Sequence, residues 1–165
     1  MNRHTEELTL VKKKEMDFAG AYKGKGFIVL SGELLNKNKK GEDGQPFNQK
    51  FIIWDILVHN GQYLIGTTVM ERLELLEQLY PCNRIQVGAT IEIYNHICCT
   101  GITGIYKAPT YLNGFSKLYN ELVQVDLYEG LVLKRRDAVL GYGYNEKNNI
   151  DWQIKCRKQT KNYSI

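Results

Sequence analysis

"KFIIWDILVHNGQYLIGTTVMERLELLEQLYP", residues 50–81, reads as strand, turn, strand and helix in immediate succession. Residues 50–58 are rich enough in β-branched and aromatic side chains for a buried strand. The Asn60-Gly61 pair that follows is a strong hairpin signal, because both residues tolerate the positive φ angles of a tight two-residue turn. From residue 67 the periodicity changes. Val69, Leu73, Leu76 and Leu79 fall on one side of a helix, Thr67 or Thr68 is available as its N-cap, and Pro81 stops it.

Working outward, "FIVLSGELL" (27–35) predicts a strand, and "NKNKKGEDGQPFN" (36–48) a polar connection. Residues 84–94 alternate in period two around Ile85, Val87, Ala89, Ile91 and Ile93, which predicts a strand pair or one long bent strand. Phe115, Leu118, Tyr119, Leu122 and Val123 form the stripe of a second helix. "GLVLK" (130–134) and "DWQIKCRK" (151–158) predict the closing strands. The expected fold class is α+β, rich in antiparallel sheet.

At 165 residues with 43% hydrophobic side chains, the chain is long enough for one domain, or part of one, with a real core. Residues 1–20 read as a poorly specified N-terminal segment. The net charge of +4 is too small to argue for nucleic acid by itself, but it is unevenly placed. Residues 147–161 hold five Lys or Arg against one acid, and Lys12, Lys13 and Lys14 form a second cluster. The N-terminus shows no apolar h-region, and no apolar run approaches the length of a membrane span. The expectation is a soluble, cytoplasmic protein with no membrane partner. Cys82, Cys98, Cys99 and Cys156 have no CxxC spacing and no His at a ligand-like interval, so they read as reduced thiols, partly in the core. His4, His59 and His96 are scattered and suggest no shared role.

The chemistry lies at the strand boundaries. "SGELL" sets Glu33 beside a glycine, "IIWDIL" pairs Trp54 with Asp55, and "EGLVLK" runs from Glu129 to Lys134. "IKCRK" offers Lys155 and Arg157 two residues apart, projecting from one face of a strand. Taken singly, each has a plainer reading: a strand-end acid, a core tryptophan, a turn, a solvated strand face. Together, two carboxylates, one aromatic plate and fixed cations suit a nucleotide with a divalent metal. The cations neutralise phosphate, the carboxylate binds a hard ion, and the ring stacks on a base.

In that order these pieces resemble the covalent nucleotidyltransferase superfamily: ATP-dependent DNA ligases, RNA ligases and messenger-RNA capping guanylyltransferases. The similarity runs over about residues 27–158, through "FIVLSGELL", the aromatic-Asp strand with its Gly turn and Glu-Arg helix, "EGLVLK" and "IKCRK". It implies an adenylation-domain fold with ATP and Mg²⁺ as cofactors and nicked DNA or RNA as partner. It implies that Glu33 serves the nucleotide sugar or a water near the metal, and that Trp54 stacks on the base. Glu129 would contribute to the metal site, Lys134 would support the phosphate end, and Lys155 with Arg157 would contact the α-phosphate. The "ERLELLEQL" helix unit favours DNA ligases over RNA ligases and capping enzymes.

The sequence departs from the family in its nucleophile. The family's Lys-x-Asp-Gly or Lys-x-Asn-Gly is absent, together with the Arg that usually follows it, and Ser31 stands where DNA ligases usually carry Asp. The residues after Lys158 are too few for an oligonucleotide-binding-fold domain. The expectation is therefore a partial adenylation domain, incomplete at its N-terminus, that forms no nucleotidyl adduct alone: a truncated domain, one encoded as a split gene, or one completed by a second polypeptide supplying the Lys-x-Asp-Gly segment. The alternatives are a non-catalytic nucleotide- or nucleic-acid-binding remnant and, third, a capping guanylyltransferase fragment.

Overall fold

The computed structural model describes residues 16–35, 39–82, 85–87, 90–92, 96–142 and 152–159. Among them lie eleven strands and two helices in an α+β arrangement with predominantly antiparallel pairing. β1 (Val29–Leu35) pairs antiparallel with β4 (Lys50–His59), after two short strands, β2 (Lys39–Lys40) and β3 (Pro46–Phe47), that pair with each other. β4 turns through Asn60 and Gly61, at φ 53° and 76°, into β5 (Gln62–Tyr63), as the hairpin signal predicts. α1 spans Val69–Leu79. Thr68 caps it: its hydroxyl accepts from the Glu71 N–H, and the Glu71 carboxylate accepts from the Thr68 N–H, a reciprocal box that satisfies donors at the helix start.

β6 (Ile85–Val87) and β7 (Thr90–Glu92) form a separate antiparallel pair, the first of the two predicted alternatives. β8 (Cys98–Ile102) and β9 (Ile105–Lys107) form a hairpin, and β9 runs parallel to β4 with Ile105 beside Phe51. The main sheet therefore has the order β1-β4-β9-β8, with β5 also on β4. α2 covers Phe115–Leu122, and β10 (Gly130–Lys134) pairs antiparallel with β11 (Gln153–Arg157) as a two-stranded ribbon.

Alternation along the central strands, reset by an irregularity in β4 between Ile53 and Asp55, puts a core on each face of the sheet. Ile53 and Ile56 of β4 and Ile105 of β9 pack with Leu76 and Tyr80, while Phe47, Ile97, Cys99, Tyr106 and Leu127 form the second cluster. Met16 and Ala21 are buried in the first cluster, so the chain is packed from the first residue described; residues 1–15, with the Lys12–Lys14 cluster, lie outside the described residues. No helix among the described residues is long and apolar enough to cross a membrane.

The cysteines require a correction. Cys82, just past α1, and Cys98, at the start of β8, are joined in a disulfide, whereas Cys99 is a buried reduced thiol and Cys156 a half-buried one. The fold brings two cysteines 16 residues apart to a Cα separation of 5.0 Å, a proximity that linear spacing does not reveal.

Candidate functional site

The sheet face carrying Trp54, the start of α1, and the β10–β11 ribbon surround a cavity of about 720 Å³. Two glycines set its walls. A Cβ at Gly32 would lie 2.3 Å from the Ile52 carbonyl oxygen, so only glycine lets β1 approach β4 there. Gly130 has φ 136°, and a Cβ on it would lie 2.0 Å from the Cys156 carbonyl oxygen, so the glycine beside Glu129 is required by both backbone conformation and strand approach.

Register explains how Trp54 reaches the cavity. Ser31 pairs with Asp55 and Gly32 with Ile53, leaving Trp54 without a partner in β1; it is the extra residue of a bulge. Bulges re-aim side chains, and here the indole is 37% exposed, with its Nε1 donating to Ser31 Oγ at 3.0 Å. Ser31 thus orients the ring.

The ribbon supplies the cations. Val132 pairs with Lys155, Gly130 with Arg157 and Lys134 with Gln153, so Lys134, Lys155 and Arg157 project from one face. The segment after β10 fixes the ribbon to α1: the N–H groups of Val69 and Met70 donate to the carbonyls of Ala138 and Arg136. At the ribbon's other end, the Lys158 N–H donates to the Glu129 carbonyl.

Under the cavity lies a buried charge network. Arg72, 1% exposed, donates from Nε to Asp55 Oδ1 at 2.9 Å, from Nη2 to Asp55 Oδ2 at 3.3 Å and from Nη1 to the Thr67 carbonyl at 2.9 Å. Lys134 Nζ stands 3.5 Å from Asp55 Oδ2. Burial pushes the Lys134 ammonium below the ordinary lysine range, and the Asp55 carboxylate offsets this in part. Glu129, by contrast, lies open between two cations, with Lys39 Nζ 3.7 Å from one oxygen and Arg157 Nε 3.7 Å from the other.

All six residues singled out from the sequence, Glu33, Trp54, Glu129, Lys134, Lys155 and Arg157, line this one cavity. The sequence reading missed Lys39, which lies in what reads as a polar connection, and His96. His96 Nδ1 is 3.0 Å from the Tyr111 hydroxyl and its Nε2 is 4.0 Å from Glu121, at the cavity's edge. Burial, then the charges of Glu42 and Glu121, raise the Tyr111 phenol above its ordinary range. No local pattern signals this pair, because its members come from different elements.

Among the lining residues, Lys39, Lys134, Arg136, Lys155 and Arg157 outnumber the acids Glu33, Asp55 and Glu129, and Asp55 is already neutralised by Arg72. The arrangement suits a polyanion that also offers an apolar ring. Among the described residues, no three His, Cys, Asp or Glu side chains cluster closely enough to hold a metal ion by themselves. A single carboxylate such as Glu129 fits Mg²⁺ when phosphate oxygens and water complete its octahedral shell. Comparison with protein-family models, with curated proteins and with solved structures finds no match to this chain.

Proposed function

We propose that the chain is the nucleotide-binding portion of an ATP-dependent polynucleotide ligase adenylation domain, with a DNA ligase preferred over an RNA ligase. The observation that carries this reading is the convergence of Glu33, Trp54, Glu129, Lys134, Lys155 and Arg157, chosen by their order in the sequence, on one cavity with a cationic wall. In this reading Trp54 stacks on the base and Glu33 faces the sugar or a water near the metal. Lys155 and Arg157 neutralise the α-phosphate, and Lys134 supports the phosphate end. Glu129 would hold Mg²⁺ together with the phosphates, and the ion would add charge stabilisation at the phosphoryl group. The 5′-phosphate of nicked DNA or RNA is the acceptor in this chemistry.

In the family this chain resembles the nucleotidyl group is carried on the amine of a Lys-x-Asp-Gly lysine, one of several side chains able to act as covalent nucleophile, and these 165 residues hold no Lys-x-Asp-Gly. The amine is therefore assigned to a segment outside them, such as one supplied by a second polypeptide. The same absence favours one further reading, a binding module that keeps the pocket without the chemistry.

The test combines calorimetric titration of the purified chain with intact mass after incubation with ATP and Mg²⁺. Saturable ATP binding in the presence of Mg²⁺, weakened in Glu129→Ala and Lys155→Ala and unaccompanied by an AMP adduct, is expected. An adduct would overturn the assignment of the nucleophile, and no binding by the wild-type chain would overturn the nucleotide site itself.

A further inference from the structure

The contact between Lys39 and Glu129 joins a stretch that reads as a simple connection to the acid assigned to metal binding. Lys39 is well placed at the backbone. It pairs in register with Phe47, whose ring is buried in the second core, and the next residue's N–H donates to Asp126 Oδ2 at 3.0 Å. Its side chain, 24% exposed, reaches Glu129 only at long range. Its ammonium is 3.7 Å from a carboxylate that is itself half exposed and shared with Arg157 at the same distance. At this separation, with the Glu129 side chain 58% and the Lys39 side chain 24% exposed, the pair contributes only modestly to stability, and one carboxylate leaves two cations only partly neutralised. A polyphosphate, with more charge and more acceptor oxygens, competes strongly for both.

We propose that Lys39 is a further phosphate-binding residue of the cavity, and that Glu129 holds it in reserve until a polyphosphate draws Lys39 and Arg157 away. The inference rests on the nucleotide reading above and deepens it. It assigns a polyphosphate to the site in preference to a nucleoside, and it names Glu129 as an internal competitor for phosphate. Once the two cations have moved to the ligand, the Glu129 carboxylate is free to accept a cation brought in with it.

Inorganic tripolyphosphate and adenosine are the probes, titrated at low ionic strength in the absence of Mg²⁺ into the wild-type chain, Lys39→Met and Glu129→Gln. Lys39→Met is expected to weaken tripolyphosphate binding about tenfold or more, the scale of one charge-assisted contact, and to leave adenosine unchanged. Glu129→Gln is expected to tighten tripolyphosphate binding without Mg²⁺, because the competing carboxylate is gone. If Lys39 and Glu129 were a purely structural pair, both substitutions would act in the same direction, and that result would overturn the inference. Equal tripolyphosphate affinity in wild type and Lys39→Met would also overturn it while leaving the nucleotide site standing. A wild-type chain that binds neither ATP nor tripolyphosphate would remove the underlying reading as well.

Discussion

Replacing Asp55 by Ala isolates the buried charge network under the cavity. Arg72 is 1% exposed, and two of the three hydrogen bonds its side chain donates go to Asp55, so truncation leaves a guanidinium dry with only the Thr67 carbonyl. Removing one partner of a buried ion pair costs about 3–5 kcal/mol, since the remaining charge keeps its desolvation penalty. For a chain of this size each kcal/mol shifts Tm by about 2–4 °C, so Asp55→Ala should melt about 6–20 °C below wild type. Arg72→Met should cost less, because Asp55 retains Lys134 at 3.5 Å and the Ile56 N–H. The double variant Asp55→Ala/Arg72→Met removes both charges and should be more stable than Asp55→Ala alone. Lys134 loses its partner in both of these variants, so the difference between them reports on Arg72. Urea unfolding followed by circular dichroism, with thermal melts alongside, measures all three. A cost below about 1 kcal/mol for Asp55→Ala, the range of exposed pairs, would refute the argument, as would a double variant no better than Asp55→Ala.

Gly130→Ala places a Cβ 2.0 Å from the Cys156 carbonyl oxygen at φ 136°. Backbone strain alone costs about 1–3 kcal/mol, so proton-exchange protection of β10 and β11 should fall; unchanged protection would refute the stated close approach. The lowered pKa of Lys134 means that the unfolded chain binds more protons than the folded one between the folded pKa and the ordinary lysine value. This residue's contribution to stability is thus fully present above the ordinary lysine value and is lost as pH falls through the folded pKa. Lys134→Met should remove that dependence, which urea unfolding on a pH series detects. Tyr80, fully buried and donating its hydroxyl to the Ala21 carbonyl, has its pKa raised to about 12 by burial. Its stabilisation is complete below the ordinary tyrosine value and is lost as pH rises through about 12, and Tyr80→Phe should abolish this alkaline loss. Cys82→Ser/Cys98→Ser opens a loop of sequence separation 16, which on the chain-entropy scale costs about 3 kcal/mol; an unchanged urea midpoint would contradict the bond.

The elements legible in the sequence are those with a local cause. A threonine cap ahead of the apolar stripe marks the start of α1, Asn60-Gly61 marks the β4–β5 turn, and the period-two residues around Ile85 and Ile91 mark extended structure, read as a strand pair or one long bent strand. β8 and β9 are not legible, being short, broken by Gly101 and Gly104, and completed only by parallel pairing with a strand some fifty residues earlier. The Cys82–Cys98 bond fails for the same reason, since a distance set by tertiary packing leaves no trace in spacing. At the site, the strand-borne residues are legible because alternation fixes their face: Lys155 and Arg157 share one side of β11. Lys39 and His96 are not, because each enters the cavity from a segment whose local pattern signals no ligand.

The most direct test of the proposed nucleotide site follows the indole N–H resonance of Trp54 during titration with ATP and Mg²⁺. Trp54 is one of two tryptophans, so substitution of either assigns the signal. A saturable shift of Trp54 with ATP is expected, with saturation displaced to higher ATP in Lys155→Ala. A Trp54 resonance that stays fixed to millimolar ATP, in a chain that is folded by the same spectrum, would contradict that expectation.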